Sequence, residues 1–355
     1  MNSFDGSIMS TSSANILGYR EGMIADPDRP AWRRDEPRPI GWSAWYPAAA
    51  DARVEPAFIG SPDQPFFILG PQARDAEPAG DKLPVAIVSH GTGGSAVGFH
   101  WLARRLVADG WVVIGPNHHG NTTLEPYYPE GFLAWWERAR DLTLLLDWLG
   151  RDSFLAGRID LSRVAAIGFS LGTHSVLGLL GARTDMAQFR TWALSQPEEM
   201  SLVRRGPREF PDLADQLDGL LENSPIFRAS WDRQGIDYTD ARITAAALYA
   251  PAPPVRGLTE ASLRGISAPV QMLVGDADLE APPEHARWLK AFLPQASLEI
   301  LTPGISHYVF LPVGTERSRA TAPEVFADPP GVDRAAIHRE VAEKTAEFLR
   351  QSAGP

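Results

Sequence analysis

The sequence predicts an α/β protein with a mostly parallel central sheet, helices on both faces and a helical cap insertion. Three observations point there. Short, mostly apolar runs at residues 85–89, 111–115, 164–167, 245–249, 270–274 and 298–301 read as strands, the first of them apolar on both faces as a buried parallel strand should be. Segments of helical period lie among them, at 98–109, 134–149, 174–180 and 334–350. The 31 glycines and 31 prolines imply many tight connections in place of long helices.

In chain order, residues 1–38 are polar and turn-rich and read as an arm over the surface. Residues 40–47 alternate large and small side chains like a strand stopped by Pro47. A proline- and charge-rich stretch, 71–84, leads to the run at 85–89, which ends in His90-Gly91-Thr92-Gly93-Gly94. The helix over 98–109 closes at Gly110, a residue suited to the left-handed turn after a helix. On the 134–149 segment, Trp135, Leu142, Leu145, Leu146 and Leu149 share or border one face. The core is therefore expected over 39–182 and 243–355, and residues 183–242, with charged helical turns and the bulky Trp192, Phe227 and Trp231, form the expected cap.

Composition narrows the function classes. The formal charge is −11 with no Lys/Arg stripe, which argues against nucleic-acid or anionic-membrane partners. The absence of cysteine removes disulfides, thiolate metal sites and a cysteine nucleophile together. No apolar run approaches the ~20 residues that span a bilayer, and residues 1–20 lack the basic start and apolar core of a signal peptide, so a soluble, cytoplasmic protein is expected.

The chemistry centres on Gly168-Phe169-Ser170-Leu171-Gly172, a G-x-S-x-G between a strand-like run and a helix-like one. A serine on so sharp a turn needs small residues two positions either side, because the backbone approaches itself there. A serine hydroxyl also needs a base to take its proton and a carboxylate to orient that base. His307 follows the 298–301 strand, and Asp276 and Asp278 follow the 270–274 strand. Asp278 is the preferred acid, since Asp276, next to Gly275, is expected to cap the turn. His100, His174, His285 and His338 fall in helical patterns and read as packed or solvated. His118 and His119 are adjacent, so an extended backbone points them to opposite faces, and no third ligand at metal spacing accompanies them. The oxyanion formed by attack needs preorganised donors, for which the amides of Leu171 and Thr92 are the first candidates and Gly93 the next. Gly91, Gly93 and His119 are the candidate substrate-binding residues.

With Ser170, Asp278 and His307 in that chain order, the sequence resembles the α/β-hydrolase superfamily. More narrowly it resembles the dienelactone hydrolases and platelet-activating-factor acetylhydrolase-like esterases, on the Trp-Tyr-Pro of 41–47, Ser89-His90-Gly91, the 168–172 motif, residues 240–250 and the Asp278 and His307 segments. The resemblance implies a metal- and cofactor-free serine hydrolase that cleaves carboxylic esters. Ser170, Asp278 and His307 form its triad, and the loop after His90 lies in the oxyanion hole. True dienelactone hydrolases use a cysteine nucleophile, which this chain lacks. The aromatic residues of the cap and of 121–136 favour an apolar or aromatic-bearing small-molecule ester. An amidase or peptidase of the same fold, or a binding protein retaining the scaffold, are the alternatives.

Overall fold

A computed structural model describes residues 15–196 and 206–352. Its strands are β1 (Ile16–Ala31), β2 (Arg34–Ala48), β3 (Glu55–Ser61), β4 (Gln64–Arg74), β5 (Leu83–Ser89), β6 (Val112–Asn117), β7 (Ile159–Phe169), β8 (Ile243–Tyr249), β9 (Val270–Gly275) and β10 (Ala296–Leu301). Its helices are α1 (His100–Ala108), α2 (Pro129–Leu133), α3 (Glu137–Leu149), α4 (Leu171–Leu179), α5 (Met186–Ser195), α6 (Leu213–Asn223), α7 (Pro225–Trp231), α8 (Glu260–Arg264), α9 (Pro283–Phe292), α10 (Glu316–Thr321), α11 (Pro323–Phe326) and α12 (Arg334–Ser352).

The sheet runs β10-β9-β8-β7-β5-β6-β2-β1-β4-β3. Neighbours from β10 to β6 are parallel, β2 joins β6 antiparallel, and β1 pairs antiparallel with β2. The all-apolar runs form the parallel centre because both their faces are covered. On β5, Val85 and Ile87 face a core with α3 and α4, including Leu142, Leu145, Leu146 and Val176. Ala86 and Val88 face the opposite core with α1 and α12, including Leu102, Leu106, Val341 and Leu349. This period of two explains why those runs could not alternate in polarity. Gly110, at φ +87°, ends α1 as expected.

The expected surface arm is corrected here. Residues 16–31 and 34–48 are paired strands of the sheet, while residues 1–14 of that arm lie outside the described residues. Their prolines misled the reading. Pro30 sits at a register shift, and Pro37 and Pro39 lie in the half of β2 that continues past its β6 pairing, where a missing N–H costs little. The β3–β4 hairpin also escaped the sequence reading, and β4 touches the main sheet only through Gly18↔Ala73 and Tyr19↔Arg74.

Between α4 and β8 lie α5, α6 and α7. Their Met186, Leu213, Leu217 and Phe227 pack in a third apolar cluster with Trp32, Phe132, Trp136 and Leu171. Since Leu171 follows Ser170 directly, this cluster roofs the end of the sheet where the candidate nucleophile stands.

Candidate active site

Ser170 links β7 to α4 at φ +53°, ψ −119°, a conformation that costs a residue with a Cβ about 1–3 kcal/mol. The flanking glycines permit it. A Cβ on Gly168 would strike the backbone of Gly172, and one on Gly172 would strike the Ser89 carbonyl. The turn is anchored by the Ser170 amide, which donates to the Tyr249 carbonyl at 2.9 Å.

The structure brings Ser170, His307 and Asp278 into one relay. His307 Nε2 lies 3.1 Å from Ser170 Oγ, and His307 Nδ1 lies 2.8 Å from Asp278 Oδ2. All three are buried. A carboxylate can only accept, so Nδ1 carries the proton and Nε2 is left to accept the serine hydroxyl. Asp278 Oδ1 accepts the Ala281 amide at 2.6 Å, which fixes the carboxylate plane. Asp276 is elsewhere engaged: its Oδ1 accepts the Ile305 amide at 2.8 Å and closes the turn before His307.

The loop after β5 faces this relay. Gly91 is a close-approach position, since a Cβ there would sit 3.1 Å from Ser170 Cβ and 3.2 Å from the Phe169 ring. Thr92 lines the cleft beside Ser170 and Leu171, and its amide donates to no acceptor among the described residues. Leu171 opens α4, where the first amides lack intrahelical acceptors. Two expectations are corrected. The Gly93 amide is spent on Asn121 Oδ1 at 2.6 Å, so it is no oxyanion donor, although Gly93 does line the cleft. His119 does not line the cleft: its Nδ1 donates to Glu125 Oε1 at 2.8 Å and its Nε2 accepts the Trp32 amide at 3.2 Å, which pins the β6–α2 connection to the N-terminal hairpin.

Sequence reasoning missed the residues that hold the loop. Asn121 grips the Gly93 amide, and the Tyr127 hydroxyl donates to the Gly93 carbonyl at 2.8 Å. His90 accepts the His118 amide at Nε2, 3.1 Å, so its Nδ1 proton goes to the Gly91 carbonyl at 2.7 Å. Beneath lies a second Ser–His–Asp relay. Ser89 Oγ is 3.0 Å from His118 Nε2, and His118 Nδ1 is 2.8 Å from Asp141 Oδ2. Ser89 is wholly buried, so this set cannot meet a substrate. Burial, with the charge of Arg138 adding to it, pushes the His118 imidazole down to about 4, and burial drives His90 well below its ordinary value. Both rings are therefore neutral at pH 7. The adjoining carboxylates stay charged: burial alone would raise Glu137, but Arg29 and Arg38 hold it down to about 2, and Arg29 with the His118 hydrogen bond likewise lowers Asp141. The only sequence signal for this cluster was the adjacency of polar residues to strand ends.

The relay opens into a cleft of about 1270 Å³. Its walls include Phe132, Trp135, Phe189 and Leu217 of the third apolar cluster on one side, and Ile59, Phe66 and Phe67 of the β3–β4 hairpin on another. Among the described residues no group of three or more His, Asp or Glu is arranged to hold a metal ion. None of the described helices is long and apolar enough to cross a membrane.

A sheet of this order, with a serine on the strand-to-helix turn and an acid and a histidine after later strands, is the α/β-hydrolase fold. Over nearly the whole chain it is similar to a ferulic acid esterase from Streptomyces cinnamoneus, with a TM-score of 0.62, 17% identity, and coverage of 97% of this chain and 92% of that one. Over 101 residues, 28% of this chain, it is 36% identical to cutinase est1 of Thermobifida alba and to cutinase 2 of Thermobifida cellulosilytica. The chain spans about a third of these relatives, 31% and 35% of their lengths. No family model matches the chain. These likenesses do not extend to the narrower dienelactone-hydrolase resemblance.

Proposed function

We propose that this protein is a serine esterase that cleaves carboxylic esters through an acyl-enzyme. The observation that carries the reading is the Ser170–His307–Asp278 relay at the floor of an apolar cleft. The partial identity to cutinases supports the choice of ester as the scissile bond. In the first step His307 Nε2 takes the Ser170 proton as Oγ attacks the carbonyl carbon, and Asp278 stabilises the imidazolium. The amides of Leu171 and Thr92 meet the developing oxyanion. His307 then gives its proton to the departing alcohol, and water clears the acyl group with His307 again as base.

The cleft exceeds the ~300–1,000 Å³ of common small-molecule sites, and its Phe and Trp walls favour an ester with a bulky apolar or aromatic acyl or alcohol part. Purified protein should therefore hydrolyse p-nitrophenyl esters, and a fluorophosphonate probe should label it. Ser170→Ala should lose both properties. Turnover by that variant within tenfold of wild type, or anilides cleaved faster than matched esters, would overturn the reading.

A further inference from the structure

Arg138 of α3 is a guanidinium buried to 2% exposure, and none of the described carboxylates lies within ion-pair distance of it. Its neighbours on the same helix are otherwise committed: Glu137 and Asp141 are both taken by Arg29, and Asp141 also by His118. What Arg138 does hold is backbone. Its Nη2 donates to the His90 carbonyl and lies 3.3 Å from His90 Nδ1, while its Nε and Nη1 make no hydrogen bond among the described residues. Burying a cation with so little compensation is costly, and burial indeed pushes its pKa down to about 9, with Asp141 opposing. A group kept there at such cost calls for a task that lies in the loop it grips.

The loop's geometry defines that task. Arg138 holds the carbonyl of residue 90, and the His90 ring, with the Gly94 amide at 3.3 Å, holds the carbonyl of residue 91. In a planar trans peptide the N–H points opposite to the C=O. Drawing the Gly91 carbonyl toward His90 therefore turns the Thr92 amide the other way, into the cleft that Thr92 shares with Ser170 and Leu171. The His90 ring can hold that carbonyl only while its own backbone stays in register, and the Arg138 contact to the His90 carbonyl fixes that register from below.

We propose that Arg138 is a positioning residue of the oxyanion hole: by gripping the His90 carbonyl it fixes the His90-Gly91-Thr92 backbone so that the Thr92 amide is presented to the tetrahedral intermediate. The inference rests on the esterase reading above. Such a donor acts on the transition state and leaves substrate binding unchanged, so its loss falls on kcat, typically by about 10²–10³.

The test uses the full-length protein, with folding followed by thermal melts. Arg138→Met should lower kcat on p-nitrophenyl butyrate about 100-fold and leave KM within threefold. It should weaken an alkyl boronic acid, which forms a tetrahedral adduct on the serine, by a similar factor, while a ground-state ether analogue binds as before. Arg138→Ala should regain at least tenfold in kcat on addition of guanidinium ion at millimolar concentration. Should those variants not fold, Arg138→Lys, which keeps the charge but not the planar fork, should show the same loss in kcat and boronate affinity in milder form. A folded Arg138 variant with kcat and boronate affinity within threefold of wild type would overturn the inference, as would a loss falling on KM. Absence of ester turnover by the wild type would instead count against the esterase reading.

Discussion

Replacing Asp278 by asparagine should all but abolish the proposed ester hydrolysis while leaving the fold intact, and the reason lies in a single amide. Asp278 Oδ1 accepts the Ala281 N–H at 2.6 Å. In Asp278→Asn the side-chain oxygen must keep that place, since the amide nitrogen would meet another donor there. The NH₂ group is then left facing His307 Nδ1, where the carboxylate oxygen stood at 2.8 Å. A donor at that point makes Nδ1 an acceptor and moves the imidazole proton to Nε2, which can no longer take the proton from Ser170 Oγ. A wrong tautomer of this kind costs about 10⁴ in kcat, or about 5.4 kcal/mol of barrier. Asp276→Asn offers the control. Its oxygen can still accept the Ile305 amide, so activity should stay within about threefold of wild type. Steady-state hydrolysis of p-nitrophenyl butyrate, with thermal melts to verify folding, separates the two. An Asp278→Asn enzyme within tenfold of wild type, or a larger loss in Asp276→Asn, would refute the tautomer argument and return Asp276 to candidacy.

Stability should fall with acid well before the carboxylates titrate. Burial depresses His100, His174 and His285 to about 3, and His118 and His338 to about 4, against an unfolded value of roughly 6.5. Below ~6.5 the unfolded chain binds protons that the folded one refuses, so the stability present above that pH is lost as pH falls toward the folded values. The melting temperature should be flat above pH 7 and drop by on the order of 10 °C by pH 4.5, and a flat profile down to pH 5 would contradict the buried-neutral assignment. A third prediction concerns the hairpin wall. Phe66 and Phe67 pack at 5.4 and 5.2 Å from Phe326, and the hairpin tip is held by Thr315 Oγ1 on the Pro65 carbonyl at 2.8 Å. Replacing both phenylalanines by alanine should raise KM for a long-chain or aryl ester about tenfold and leave acetate ester turnover within threefold, the loss of ~1.4 kcal/mol expected from partial loss of two apolar contacts. Equal losses on both esters would show that the hairpin does not contact substrate.

What could be read from residues alone was whatever depends on neighbours in the chain. The run Val164-Ala165-Ala166-Ile167 must lie inside a covered sheet because it has no polar face, and Gly168 and Gly172 mark the turn because the backbone crosses itself there. That Ser170, Asp278 and His307 would meet was legible because all three follow strand ends on one edge of the parallel sheet. The supports were not. Asn121 meets Gly93 across 28 positions, and Arg138 meets His90 across 48; a single polar residue carries no mark of so distant a partner. His119 was misassigned for the same reason, because its partner Trp32 lies 87 positions away. β1 and the start of β2 escaped because β1 beyond Tyr19 is largely half-exposed and proline-bearing, so no apolar run announces it.

The hairpin of β1 and β2 also limits how the gene can be cut. Arg29 reaches 108 and 112 positions along the chain to Glu137 and Asp141, and Arg38 joins it on Glu137. An expression clone begun at residue 39, as the reading of 1–38 as an arm would invite, would take Arg29 from both interior carboxylates and Arg38 from Glu137, leaving Glu137 with Arg233 and Asp141 with the neutral His118; breaking even one such buried pair costs about 3–5 kcal/mol. It would strip charge partners from the helix that carries Arg138. During synthesis the first strands leave the ribosome long before α3 does, so the electrostatic seal on this face closes only after some hundred further residues have been made. The β1–β2 hairpin is thus a late-engaging clasp on the fold, and a truncation that cuts into it is to be avoided.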